Sequence, residues 1–158
     1  MAAGLWDMAG VDGLAVAISL FGEAAGRLAP FQSLETVFRG QDCSVLRLCD
    51  RNFRIACSHP LDSLIASLQA DVWIQQYDWL SVVAIAPDQL PKLIEQATVR
   101  PPHRLDLPNH QAVPAQIAET AVLLWRHTCR DRPVIDLHVA RSDSDRLIEQ
   151  INVQTVSA

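Results

Sequence analysis

Residues 79–86 read WLSVVAIA, an almost unbroken apolar run that contains several β-branched side chains. A short run of this kind is typical of a strand that is covered on both faces. Pro87 and Asp88 follow at once and predict the start of a helix. The inward-facing positions of that helix recur at helical spacing and are Leu90, Leu93, Ile94 and Ala97. We therefore expect a central strand followed directly by a helix.

Upstream of this strand the apolar residues recur with a period of two. Residues 44–49 and 53–58 predict two strands. Asn52, in the connection between them, tolerates the left-handed backbone that a short hairpin loop requires. Pro60 begins a predicted helix with one apolar stripe, formed by Leu61, Leu64, Ile65 and Leu68. The sequence thus predicts a ββαβα unit over residues 43–99.

The remaining segments read mainly as helices. Residues 11–28 and 31–38 predict an apolar helix and a further short helix. Four prolines interrupt residues 99–114 and predict a linker. After the linker we expect a helix, a strand over residues 134–140 and a last helix from about Ser142 to Asn152. The apolar side of the first of these helices comprises Ile117, Ala118, Ala121, Leu124 and Trp125.

These elements predict a fold of the α/β (α+β) class. We expect a small mixed sheet of about four strands with helices packed on it, in which the ββαβα unit is followed by αβα. The predicted segments are an N-terminal apolar helix at 1–30, the ββαβα domain at 31–99, a Pro-rich linker at 100–114 and an αβα segment at 115–158.

The composition is that of a folded protein with a real core. Of 158 residues, 49% are hydrophobic and 20% are charged, and the net charge is −5. An acidic chain lacks the basic surface that nucleic acids require, so no nucleic-acid partner is expected. No basic secretory leader and no membrane-length apolar stretch are present, which predicts a cytoplasmic location without membrane insertion. The four cysteines form no CxxC pair and are expected to be reduced core thiols.

Motifs that hold phosphates or metals are missing. The sequence contains neither GxxxxGK[ST] nor GxGxxG, and its single lysine, Lys92, lies inside a predicted helix. Two Cys/His pairs, Cys57 with His59 and His127 with Cys129, match no recognised zinc spacing. Buried thiols beside surface histidines explain these pairs better. We therefore expect no metal and no cofactor.

Asp136 and His138 share one face of the predicted strand at 134–140. An imidazole beside a carboxylate is a candidate general base. The polar side of a half-buried strand explains the same pair without any function. Because the sequence places no serine or cysteine as a nucleophile, the second interpretation is favoured, and no catalytic residue is assigned.

The order of elements resembles the N-terminal domain of type II secretion and type IV pilus assembly ATPases. Residues 44–62 (SVLRLCDRNFRIACSHPLD) are similar to its strand–turn–strand and helix start, with His59-Pro60 in place of Asp-Pro. Residues 135–139 (IDLHV) lie where those ATPases read ASDIHIEP. The resemblance covers roughly residues 30–141. The Walker motifs, the motor domain and the RLGxxL repeats of the cyclic di-GMP-binding variant are all missing.

This resemblance implies docking rather than catalysis. It predicts a non-enzymatic adaptor or regulatory module that binds a secretion or pilus platform protein or a regulator, or that self-associates. Apart from the resemblance, the helix predicted at 11–28 is nearly apolar on its second face as well, so Ala17, Leu20 and Ala24 on that face are the predicted partner-binding residues. The alternative is a small-molecule-binding regulator or a small α/β enzyme that uses the Asp136/His138 face and the 99–114 loop. A cleft with shifted pKa values would favour the alternative, and a broad exposed apolar patch would favour docking.

Overall fold

The computed structural model describes residues 4–156, apart from the side chain of Ile65. The chain divides into two compact units, one up to Tyr77 and one from Asp78 onward. Each unit is built on a five-stranded antiparallel sheet and has its own apolar core. The division falls inside the segment 31–99 that the sequence pattern marked as one domain.

The first unit places one long helix and two short ones against its sheet. The strand order is β2-β3-β4-β1-β5. Its elements in chain order are β1 (Gly4–Ala9), α1 (Gly13–Phe21), a 3-10 helix (Glu23–Arg27), β2 (Ser33–Phe38), β3 (Gln41–Cys49), β4 (Asn52–Cys57), α2 (Asp62–Ala66) and β5 (Trp73–Gln76).

Alternation decides which face of this first sheet is apolar. Met8, Phe53 and Ile55 point from β1 and β4 into the core, where Val16 of α1 also lies. Gly13 starts α1 directly over the β3–β4 turn: a β-carbon there would lie 2.6 Å from the Arg51 carbonyl oxygen. Only glycine therefore permits this close approach.

The second unit has the strand order β6-β10-β9-β8-β7. Its elements are β6 (Leu80–Ile85), a 3-10 helix (Pro87–Gln89), α3 (Leu90–Gln96), β7 (Ala97–Thr98), β8 (Gln111–Ile117), β9 (Thr120–Cys129), β10 (Arg132–Ala140) and α4 (Arg141–Gln150). Its core lies on the face of Val83, Leu124 and Leu137, which residues of α3 and α4 cover.

The broad α+β class is confirmed, but the predicted arrangement is wrong. The strands expected at 44–49, 53–58, 79–86 and 134–140 and the helices at 87–97 and 142–152 are present with shifted ends. The helix expected over 11–28 ends at Phe21 and continues as a 3-10 turn. Instead of one mixed sheet of about four strands, the chain forms two antiparallel sheets of five strands each.

The largest error concerns residues 115–125, which are strand rather than helix. β8 and β9 form a tight hairpin whose two turn residues, Ala118 and Glu119, have φ values of 49° and 65°. Such turns normally carry Asn or Gly, so this sequence gives no turn signal. Pro114 lies within β8, but β7 pairs only with residues 116 and 117, which leaves Pro114 at an edge where no ladder hydrogen bond is lost.

Two of the four cysteines are not free thiols. Cys43 of β3 and Cys57 of β4 are directly opposite each other, with Cα atoms 4.6 Å apart, and form a disulfide. The expectation of four reduced thiols is therefore wrong for this pair, because strand register brings the two residues together. Cys49 and Cys129 are free and exposed. No helix among residues 4–156 is long and apolar enough to cross a membrane.

Candidate functional site

The Asp136/His138 face exists, but Asp136 pairs with a different histidine. Both residues lie on one face of β10, and Asp136 Oδ2 is 2.7 Å from Nε2 of His127 on β9. The register places Asp136 opposite Trp125 and His127 opposite Val134, so the bonded pair is diagonal across the two strands. The interacting carboxylate and imidazole are therefore nine residues apart rather than two.

A buried indole organises this face. Trp125 stacks on His127 with ring centroids 4.0 Å apart and meets the edge of His138 at 5.8 Å. Trp125 is fully buried and both histidines are 3% exposed. We call Trp125, His127, Asp136 and His138 the His127 cluster. The carboxylate can orient the imidazole as in an acid–base pair, but burial denies both rings direct access to a substrate.

The 99–114 loop does not join the His127 cluster. Leu107 is buried, and Val99 and Leu105 pack with it against the core of the second unit. The Leu107 carbonyl accepts a hydrogen bond of 3.3 Å from Arg126 Nη1. Because side chains alternate along a strand, Arg126 and the loop lie on the opposite face of the sheet from Asp136 and His138. The structure thus separates two features that the sequence analysis combined.

The three residues predicted to bind a partner do not form one surface. Ala17 is fully buried in the first core, and Leu20 is half-buried against it. Ala24 is exposed, but it belongs to the 3-10 helix that follows the end of α1. Ala17 therefore has no surface to offer a partner.

The predicted Cys/His pairs do not converge on a metal site. Cys57 and His59 belong to the first unit, and His127 and Cys129 to the second. Cys57 is bonded to Cys43, and His127 to Asp136. Within residues 4–156, no group of three or more His, Cys, Asp or Glu side chains is arranged to hold a metal ion.

A second polar cluster, which sequence reasoning missed, lies on the non-core face of the first sheet. Asp7 of β1 pairs in register with Arg54 of β4 and with Gln75 of β5. Tyr77 follows β5, and its hydroxyl accepts a hydrogen bond of 3.3 Å from Arg54 Nε. The Arg54 guanidinium lies 4.7 Å from the centre of the Tyr77 ring, a cation–π contact.

Burial and charge act in opposite directions on the two acidic groups. Burial raises the pKa of Asp7 above its ordinary value, while a hydrogen bond from Tyr77 and the charge of Arg54 lower it in part. Burial likewise raises the pKa of the Tyr77 hydroxyl, against the charge of Arg54. Carboxyl groups whose pKa is raised by burial next to specific charged partners are enriched at functional sites.

Two buried oxygens on this face have no hydrogen-bond donor. They are Oδ1 of Asp7 and Oδ1 of Asn52, and no described residue donates to either. Asn52 is opposite Ala9, so it lies one diagonal step from Asp7 on the same face. We call Asp7, Asn52, Arg54 and Tyr77 the Asp7 cluster. Both oxygens are closed to solvent, and buried acceptors without donors are costly to the folded chain.

One sequence signal could have pointed to the Asp7 cluster, namely the alternation of apolar and polar side chains in β1. Residues 4–9 read GLWDMA, in which Trp6 and Met8 face the core and Asp7 faces away. The segment is too short for its period to stand out. The other members come from β4 and from beyond β5, and only strand pairing brings them together.

Comparison with known proteins identifies the fold. No protein-family model and no curated protein matches the chain. Among solved structures, the glycine cleavage system aminomethyltransferase T from Bartonella henselae superposes with a TM-score of 0.72 at 12% identity, over 94% of this chain and 42% of that one. A chain of the heterotetrameric sarcosine oxidase from Corynebacterium sp. U-96, solved with pyrrole 2-carboxylate, superposes with a TM-score of 0.63 at 18% identity. This match covers 94% of this chain and 77% of the sarcosine oxidase chain.

These matches correct the functional predictions. The fold is that of the two enzymes and not that of secretion or pilus ATPase N-terminal domains, so the resemblance drawn from the sequence is wrong. The predicted role in secretion or pilus assembly and the predicted docking function depended on that resemblance, so they are wrong as well. The expectation of a non-enzyme is contradicted as well, because both structural neighbours are enzymes. The chain spans about two-fifths of the length of the aminomethyltransferase and about three-quarters of the sarcosine oxidase chain, and it shares their fold.

Proposed function

We propose that this chain is a small-molecule-binding component of an enzyme that acts on a small amino acid or amine. The observation that carries the proposal is the fold match to a sarcosine oxidase chain over 94% of this chain and 77% of that one. The match to an aminomethyltransferase of glycine cleavage points to the same substrate class. This class of function is the alternative that the sequence analysis left open, although that alternative placed the site at the Asp136/His138 face and the 99–114 loop.

The two polar clusters differ in how well they suit such a role. In the His127 cluster, the two imidazoles are 3% exposed and Asp136 already has a histidine partner. The Asp7 cluster is half-buried and carries both signs of charge. Small-molecule sites combine partial burial with a few placed polar groups, so the Asp7 cluster supports the proposal better.

The proposal is tested by titrating the purified full chain with glycine, sarcosine and pyrrole 2-carboxylate in a calorimeter. We expect at least one of them to bind at millimolar concentration or below. A ligand at a hundred times its Kd stabilises the folded chain by about 2.7 kcal/mol, which a parallel thermal melt records as a higher Tm. Acetate, which lacks the nitrogen, is the control compound. If none of the three produces heat or raises the Tm, the proposal is wrong.

A further inference from the structure

We propose that the outer edge of β6 is a pairing surface for a second copy of this chain, and that residues 152–156 occupy part of this edge and keep the chain monomeric. We call residues 152–156 the C-terminal segment. The inference concerns the second unit alone and does not depend on the proposed function.

β6 is the edge strand of the second sheet, and β10 is its one neighbour in the strand order. The Trp79 carbonyl accepts a hydrogen bond of 2.8 Å from Arg141 N, so the odd-numbered residues of this segment bond toward β10. The backbone groups of Leu80 and Val82 therefore point outward. Within residues 4–156 these outward groups have no backbone partner.

β6 lacks the features that normally protect a sheet edge. It reads LSVVAI and contains no charged residue, proline or glycine. Val82 is 49% exposed, and Trp79, directly before the strand, is 56% exposed. Charged side chains, prolines and bulges on an edge strand prevent pairing with another chain, whereas an uncharged apolar edge favours it. Another part of the molecule must therefore block this edge if the chain is to stay monomeric.

The C-terminal segment pairs with the end of this edge. Val156 N donates a hydrogen bond of 2.8 Å to the Ala84 carbonyl, and Thr155 forms an antiparallel β-bridge with Ile85. The segment thus extends the second sheet beyond β6. Within the described residues, this pairing covers the last two residues of β6 and leaves the beginning of the strand open.

Glutamine side chains hold the C-terminal segment in place. Gln96 accepts a hydrogen bond of 2.8 Å from Asn152 N and donates one of 3.4 Å to the Asn152 carbonyl. Gln89 Oε1 accepts a hydrogen bond of 3.3 Å from Gln154 N, and Val153 packs against the second core. Neutral hydrogen bonds of this kind contribute little each, so the segment can detach without unfolding the sheet.

The open part of the edge is complementary to itself. When two copies pair in antiparallel fashion about a two-fold axis at Ser81, Leu80 of one copy is opposite Val82 of the other. These are the residues whose backbone groups point outward, so they exchange hydrogen bonds across the axis. Apolar side chains then lie opposite each other and no like charges meet.

The same register makes the two occupants of the edge mutually exclusive. With the axis at Ser81, Asp78 of the second copy is opposite Ala84. Val156 already lies at that position and bonds to Ala84. The C-terminal segment and a second copy therefore compete for the edge, and loosening the segment should favour the dimer.

The test measures self-association of full-chain variants by sedimentation velocity over a concentration series. Gln89→Ala/Gln96→Ala removes both side chains that hold the segment and should lower the Kd of the dimer about tenfold. Gln116→Ala, the same change at an exposed glutamine of β8, is the matched control and should leave the Kd unaltered. Val156→Pro removes the donor to Ala84 without touching a glutamine and should act in the same direction as the double variant.

A charge placed on the edge tests where the copies meet. Val82→Lys, added to the glutamine double variant, should restore the monomer because a lysine on an edge strand blocks pairing. Val37 is 64% exposed on β2, an edge strand of the first sheet. Val37→Lys in the same background should leave the dimer intact.

The proposal is overturned if the double variant and Val156→Pro self-associate no more than the wild type. It is also overturned if Val82→Lys leaves the association unchanged or Val37→Lys abolishes it, because another surface then joins the copies. Circular dichroism shows whether the variants are folded. Unfolding of both loosened variants would mean that the segment is an essential part of the folded unit rather than a detachable cover, which contradicts the proposal as well.

Discussion

Tyr77 is the only tyrosine in the chain and reports directly on the Asp7 cluster. Burial raises the pKa of its hydroxyl above 10.0, and the charge of Asp7 raises it further, while the charge of Arg54 lowers it. The folded chain therefore prefers the neutral phenol. The stability that this preference contributes is complete below pH 10 and is lost as the pH rises through the raised pKa.

Absorbance of the tyrosinate ion against pH measures this group without interference from any other tyrosine. We expect the midpoint of the wild-type titration curve to lie above the ordinary tyrosine pKa of 10.0. Asp7→Asn removes a negative charge and should lower the pKa of Tyr77, whereas Arg54→Gln removes a positive charge and should raise it. Identical curves for the three proteins would show that these side chains are not close together in solution.

The same logic predicts how Asp7→Asn affects stability. Because burial raises the pKa of Asp7, the stabilising protonated form is complete below pH 3.8 and is lost as the pH rises through the raised value. Above pH 3.8 the buried carboxyl therefore costs stability. Asp7→Asn removes that cost, so its Tm at neutral pH should equal or exceed that of the wild type. A markedly lower Tm would contradict the direction of this pKa shift.

At the level of elements, the alternation of side chains in β6 determines which positions of this strand tolerate a polar substitution. Val83 is opposite Leu137 in the second core and is 7% exposed, while the neighbouring Val82 points to the other face and is 49% exposed. The two valines are adjacent in the sequence and chemically identical. They therefore form a matched pair in which only the direction of the side chain differs.

Val83→Asp should destabilise the chain by about 3 kcal/mol or more, because it buries a carboxylate among apolar side chains. Val82→Asp, the same change on the exposed face, should alter the free energy of unfolding by less than about 1 kcal/mol. Chemical denaturation followed by circular dichroism gives both values. Equal effects of the two substitutions would mean that residues 80–85 are not a strand with one buried face.

The molecule as a whole consists of two units, each with its own sheet and core. Nothing in the sequence forms a phosphate-binding loop, and the only lysine, Lys92, lies within α3. Since phosphoryl transfer depends on such a loop to hold and polarise the phosphates, the purified chain should not hydrolyse ATP. Release of inorganic phosphate above a protein-free blank would contradict this expectation.

The sequence alone determined the elements whose signals are local. The apolar run at 79–86, the alternation at 53–58 and the proline start at Pro87 each predict the element that forms, because burial and backbone restriction act on neighbouring residues. The sequence did not predict the hairpin of β8 and β9, because its turn residues Ala118 and Glu119 are not residue types that favour a left-handed backbone.

Strand pairing determined the contacts between residues that are far apart in the sequence. Asp136 meets His127 rather than its neighbour His138, Cys43 meets Cys57, and Asp7 meets Arg54 only because register sets distant strands side by side. Register depends on the packing of whole faces and not on any local pattern, so residues far apart in the chain give no sign of their proximity. For this reason the tertiary structure, and not the sequence, revealed both polar clusters and the two-sheet fold.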